Sequence, residues 1–174
     1  MNIFVAGIHG VGKSYLCSRL PAGSGLLHTS ASNLIKEELA LPGWNPDKRV
    51  ADVDMNQLAL AKAVARNNAN GIALLLDGHF VLLNTSGEFV MLGAAVFKPL
   101  NLSAVLLIEA DPKIVEIRIQ NRDDQRRDSE WLATFMLKER AQAESVCREL
   151  GVPMRILVSA SVTDVAAAIA SLSS

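Results

Sequence analysis

The run Gly7-Ile8-His9-Gly10-Val11-Gly12-Lys13-Ser14 fits the spacing G-x-x-x-x-G-K-[ST] of a phosphate-binding P-loop. Glycines at 7, 10 and 12 let the backbone turn tightly and carry N–H groups toward phosphate oxygens. The N-terminus of a following helix, entered through Ser14 and Tyr15, adds partial positive charge aimed at the same anion. Lys13 is expected to reach the β- and γ-phosphates from an exposed loop, and the Ser14 hydroxyl to ligate Mg²⁺. Gly7 to Tyr15 are thus the candidate nucleotide-binding residues, with Ile8, His9 and Val11 contributing backbone.

A second acid is needed to hold the metal or orient an attacking hydroxyl, and Asp77 closes the apolar run Ile72-Ala73-Leu74-Leu75-Leu76. Its plainer alternative is a strand-end acid capping a loop. His79, two residues on, could contact an acceptor or act only as a hydrogen-bonding spacer; His9 and His28 read as non-chemical. Transfer of a phosphoryl group spreads negative charge that arginines neutralise. Arg118 and Arg122 lie four apart on a helical pattern, and Arg126 and Arg127 follow in a charged turn. The alternative is a solvated run paired with Asp123, Asp124 and Asp128.

These residues must be positioned by alternating strands and helices. Asn2–Ala6, Leu26–Thr29, Ile72–Asp77, Ala104–Glu109 and Met154–Val158 read as buried strands. Between them the pattern predicts helices over 14–20, from Ser30 or Ser32 to Leu41, over 54–70 with Leu58, Ala61, Val64 and Ala65 inward, and from Asp111-Pro112 with Ile114, Ile117 and Asn121 on one face. A helix over 129–150 carries the stripe Leu132, Phe135, Met136, Ala143, Val146, Cys147 and Leu150. A last helix, capped by Ser161-x-x-Asp164, turns Val165, Ala166, Ile169 and Leu172 inward. Residues 42–52 read as a polar loop, and 79–99 as an apolar insertion with a turn at Asn84–Gly87. The alternation implies a three-layer α/β/α domain with a parallel sheet of about five strands, whose ligands bind at the strands' carboxyl ends.

Composition agrees with this and narrows the function. The chain has 174 residues, half of them hydrophobic and 20% charged, which fits one globular domain with a real core. A net charge of −1 gives no support to general nucleic-acid or membrane-surface binding. No apolar run approaches a membrane span, and with the P-loop this near Met1 no signal peptide is expected. Cys17 and Cys147 lack metal spacing and read as buried thiols, so a reducing, cytoplasmic setting is expected.

The chain resembles the P-loop kinases of small substrates, most closely archaeal-type adenylate kinases and related bacterial ATP-binding proteins. Beyond the P-loop, the resemblance rests on Thr29-Ser30-Ala31-Ser32 heading a helix, on Leu76-Asp77-Gly78-His79 where the family has Asp-Thr-His, and on Arg118…Arg122…Arg126-Arg127-Asp128, similar to its arginine-bearing lid. It implies one P-loop NTPase domain over 1–174, an acceptor region over about 30–70 and a lid over about 118–130. It implies ATP and Mg²⁺ as cofactors, and transfer of the γ-phosphoryl group to a small acceptor, a nucleoside monophosphate by analogy. Lys13, Asp77, Arg122 and Arg127 would then be catalytic, Arg118 would hold ATP, and Ser30, Ser32, Arg49 and His79 the acceptor. Ser14 and Asp77 would hold the metal. The competing expectation is an ATPase or nucleotide-gated module, with a protein partner or a second copy docking through residues 79–99. A GTPase is disfavoured because no Asn-Lys-x-Asp signature occurs.

Overall fold

The computed structural model describes residues 2–21, 25–41, 53–84, 86–123 and 127–172; at 53, 54, 122 and 123 it describes the backbone. The loop expected over 42–52, with Arg49, lies outside the described residues, as do Arg126 and the side chain of Arg122.

Five strands form as their apolar runs require: β1 (Asn2–Ala6), β2 (Leu26–Ser30), β3 (Ala73–Asp77), β6 (Leu102–Glu109) and β7 (Met154–Val158). They pair in parallel in the order β2-β3-β1-β6-β7. Successive β1 side chains alternate between two cores, Ile3 and Val5 on one face and Phe4 and Ala6 on the other. Such two-sided burial is why these strands read as continuous hydrophobic runs. Helices α1 (Lys13–Ser18), α5 (Pro112–Asp123) and α7 (Val162–Leu172) supply residues to the first core; α2 (Ala31–Leu39), α3 (Val53–Ala69) and α4 (Ala94–Phe97) supply the second. The long α6 (Ser129–Leu150) contributes to both. The result is a three-layer α/β/α arrangement of the P-loop NTPase type.

Register brings the chemistry to one edge. Ser30 pairs with Asp77, and Asp77 with Val5, so the ends of β2, β3 and β1 are neighbours where the P-loop leaves Ala6. The 79–99 stretch forms a separate antiparallel hairpin, β4 (Val81–Leu83) with β5 (Phe89–Met91), followed by α4. Its apolar bulk mostly turns inward. Leu92 and Phe97 are buried, and Phe89 packs on Trp131 and Phe135; Leu82, Leu83 and Met91 stay exposed.

Three expected helix faces are corrected. In α3, Leu58 is 50% exposed, and Ala59, Leu60, Ala63 and Val64 are the buried residues. In α5, Ile114 and Ile117 are exposed and Val115 and Ile119 are buried. In α7 Ala168 is buried, and Ala166 is only half-buried. Helix ends follow their local chemistry. Asp128 caps α6 through Trp131 N–H at 2.7 Å, and Ser161 and Asp164 exchange side-chain to N–H bonds at the start of α7. Among the described residues no helix is long and apolar enough to cross a membrane.

Candidate functional site

The loop after β1 runs too close to its neighbours for a side chain at Gly7 or Gly10. Gly7 has φ +138°, and a Cβ there would stand 2.3 Å from the Ile108 carbonyl oxygen of β6. Only glycine lets the loop cross β6 that closely. Gly12 is the residue before α1, and the Leu16 N–H returns to its carbonyl at 3.0 Å.

Lys13 is buried, contrary to the exposed position expected from the motif. Its ammonium donates to the Gly7 and Ile8 carbonyls and lies 3.3 Å from His79 Nε2. Burial lowers its pKa to about 8, against the opposing pull of Glu139 and Asp77. His79 is pushed further, down to about 3, by burial and by the Lys13 charge. It is a neutral imidazole throughout the physiological range.

Asp77 is the hub of the strand edge. Its Oδ2 accepts from Ser14 Oγ at 3.2 Å and meets His28 Nε2 at 2.8 Å. His28, read from sequence as non-chemical, therefore orients the central carboxylate. Ser14 and Asp77 together present a hydroxyl and a carboxylate, hard oxygen donors of the kind Mg²⁺ takes when phosphates and water complete its shell. Cys17 nearby is pushed up to about 12 by burial and by Asp77, so it is an inert thiol. Cys147 is likewise buried and free, which agrees with the expectation from sequence.

Glu139 is the residue that sequence reasoning missed. It is 1% exposed on α6 and accepts from the N–H groups of Gly7 (3.2 Å), Phe80 (3.0 Å) and Val81 (2.7 Å). One carboxylate thus ties the start of the P-loop to the segment after Asp77. Burial pushes its carboxyl upward, opposed by those N–H groups and by Lys13. The Gly7 N–H, expected to face phosphate, is used here. The missed signal was its place: 139 falls on the helical stripe of 132, 135, 136, 143 and 146, where a carboxylate needs partners.

Two cavities flank this centre. One, of about 240 Å³, is lined by His9, Gly10, Gly12, Lys13, Ser14, Tyr15, Arg118 and Ile119. Arg118 Nη1 reaches the Val11 carbonyl at 3.2 Å there, and Tyr15 is covered by the Arg19 guanidinium at 3.9 Å. The other, of about 220 Å³, opens beside Asp77, Gly78 and His79, with Ser30 and Ser32 at its rim. Ser30 is also the cap of α2, accepting from Asn33 N–H at 3.1 Å. Gly78, where the related motif has threonine, is explained by Phe4: a Cβ at 78 would lie 2.7 Å from its ring. That ring sits edge-on to Phe80 and to Phe97, the latter also lining the cavity. Arg127 is placed apart from these groups, with its guanidinium 4.4 Å over the Trp131 ring.

An AAA domain family model matches residues 6–134, which spans the P-loop, Asp77, α5 and the first turns of α6. The chain belongs to this AAA domain family. No curated protein matches the sequence significantly. Solved structures similar to it include a sugar kinase from a Janibacter species (TM-score 0.57, 12% identity, covering 98% of this chain and 92% of that one). A putative kinase from Chloroflexus aurantiacus is similar at TM-score 0.56 and 16% identity, covering 98% and 96%. A gluconokinase from Sinorhizobium meliloti follows at 0.53 and 16%, covering 99% and 91%. These likenesses establish a P-loop kinase-like fold for the AAA domain chain. They do not single out adenylate kinases, the nearer resemblance read from sequence.

Proposed function

We propose that the protein is an ATP- and Mg²⁺-dependent phosphotransferase moving the γ-phosphoryl group to a small acceptor. The observation that carries this reading is the pair of cavities whose linings are joined by the Lys13–His79 and Ser14–Asp77 contacts. An ATPase needs only the first; the second supplies a place for an acceptor within reach of a carboxylate.

In this reading the P-loop, Tyr15 and Arg118 take ATP, with Lys13 turning from the Gly7 and Ile8 carbonyls to the phosphates. Ser14 and Asp77 hold Mg²⁺, which neutralises charge on the β- and γ-phosphates when bound. Asp77, held by His28, orients the acceptor hydroxyl. Arg122 and Arg127 remain the proposed lid donors, and Ser30, Ser32 and His79 the proposed acceptor contacts; Arg49, the other acceptor candidate from the sequence, lies outside the described residues. A nucleoside monophosphate acceptor would need cations for its phosphate, and none lines the acceptor cavity among the described residues. The similar solved structures include a sugar kinase and a gluconokinase, so fold alone leaves the acceptor open.

Incubation with ATP-Mg²⁺ and a panel of small hydroxyl compounds and monophosphates should give acceptor-dependent ADP, and Lys13→Ala should abolish it. ADP at one rate with or without any acceptor would favour the ATPase reading.

A further inference from the structure

The cavity beside Asp77 is walled largely by carbon, from Phe4, Leu60, Leu82, Leu92, Val96 and Phe97. Among the described residues no arginine or lysine lines it, and its polar lining consists of Ser30, Ser32, Asn56, Gln57, the Asp77 carboxylate and the neutral His79 ring. An acceptor carrying phosphate or carboxylate would enter beside a like charge with no lining cation among the described residues to meet it. A sugar or sugar acid would set hydroxyls against phenylalanine and leucine side chains as well as against those polar groups, where they cost the hydrogen bonds they had in water.

A separate observation points to what does fit. Asn56, on α3, lines the same cavity, and its Oδ1 is buried with no hydrogen-bond donor. A buried amide oxygen without a donor is an exception in folded proteins, and a ligand donor is one way of completing it.

We infer that the acceptor is an uncharged, ring-bearing alcohol whose apolar body fills the carbon-walled cavity, with one hydroxyl at Asp77 and an N–H or O–H donating to Asn56 Oδ1. This rests on the phosphotransferase reading above. In the step, the acceptor oxygen bonds to the γ-phosphorus as the bond from that phosphorus to the β,γ-bridging oxygen breaks. ADP leaves with the electron pair, and the hydroxyl proton passes to the Asp77 carboxylate and then to water.

Nucleosides are the probe, because they combine a ring, an N–H donor and a primary alcohol without charge. With ATP-Mg²⁺, kcat/KM for adenosine, cytidine, uridine and thymidine is compared with that for their 5′-monophosphates, glucose and gluconate. Calorimetry of the same compounds reads binding without turnover. At least one nucleoside should exceed its monophosphate and both sugars by about a hundred-fold, as two unmet polar or charged groups would produce. A preference for monophosphates or sugars overturns the acceptor class and leaves the phosphotransferase reading standing. Nucleoside binding without any acceptor-dependent ADP overturns the phosphotransferase reading and leaves the cavity's preference standing. Failure of every nucleoside to bind overturns the inference. Asn56→Leu, similar in size, should raise the KM of the preferred nucleoside about ten-fold, the worth of one hydrogen bond, and hold or raise Tm. A lowered Tm with unchanged KM would make Asn56 structural and overturn its assignment.

Discussion

Lys13 Nζ and His79 Nε2 face each other at 3.3 Å, and the contact sets the proton arrangement of both. An ammonium has three N–H donors and no acceptor. Two go to the Gly7 and Ile8 carbonyls, so the third meets a lone pair on Nε2 and the ring proton of His79 sits on Nδ1. Nδ1–H is then the donor His79 can offer a ligand.

An acid-stability prediction follows. His79 titrates near 3 in the fold against an ordinary 6.5, so the unfolded chain takes up the proton first as pH falls. Its contribution is complete above pH 6.5 and is lost as pH falls through 3, by about 5 kcal/mol in all. Lys13, His9 and Asp77 act on the ring in the same pocket, so the test is a difference between variants. Urea unfolding at pH 7 and pH 4 should show a smaller acid loss for His79→Asn than for the parent. Equal losses would contradict the buried neutral ring.

The sign is opposite in effect for ligand binding at Lys13, which titrates near 8. Anionic phosphates favour its charged form, so ATP binding at pH 8.5 should take up to about one proton. Calorimetry in two buffers of different ionisation enthalpy reads that uptake directly. It should vanish in Lys13→Met; an equal uptake in that variant would remove Lys13 from the phosphate site.

Glu139 tests how the loop is held. Both its oxygens accept backbone N–H groups, Oε1 from Gly7 and Oε2 from Val81. Glutamine keeps one acceptor and turns an NH₂ on the other donors, whereas alanine orphans all of them. Glu139→Gln should lose about 2 kcal/mol of stability and Glu139→Ala about 3–5. Denaturant midpoints check this, and a neutral alanine variant would contradict the bridge.

Gly78 makes a packing prediction. Threonine, as in the related motif, would press its Cβ into the Phe4 ring and should destabilise by about 1–3 kcal/mol. Phe4→Leu combined with Gly78→Thr should recover part of that loss. Melting of the two single variants and the double variant checks the coupling, and simple additivity would refute it.

Much of this fold could be read ahead because its signals are local. The five strands are apolar runs closed by turns, and the P-loop and the Ser161–Asp164 box act through their own neighbours in the chain. What could not be read depended on which element packs where. Helix α5 carries Ile114, Val115, Ile117 and Ile119, two competing apolar faces. The choice falls to Gly10, whose missing Cβ admits Val115 and Ile119 to about 3 Å of that position. Alanine-rich α3 is ambiguous in the same way. Glu139 and His28 gain their roles only when distant segments arrive beside them, 132 residues away for Glu139 and Gly7, and 49 for His28 and Asp77.

The central claim is that the γ-phosphoryl group ends on an acceptor held at Asp77. The most direct measurement follows the label from γ-labelled ATP in a single turnover with Mg²⁺ and the best acceptor, in the parent and in Asp77→Asn. The account predicts label on the acceptor in the parent, and a rate lower by about 10²-fold or more in the variant with ATP affinity little changed. Label released only as inorganic phosphate, at a rate indifferent to acceptor, would contradict it.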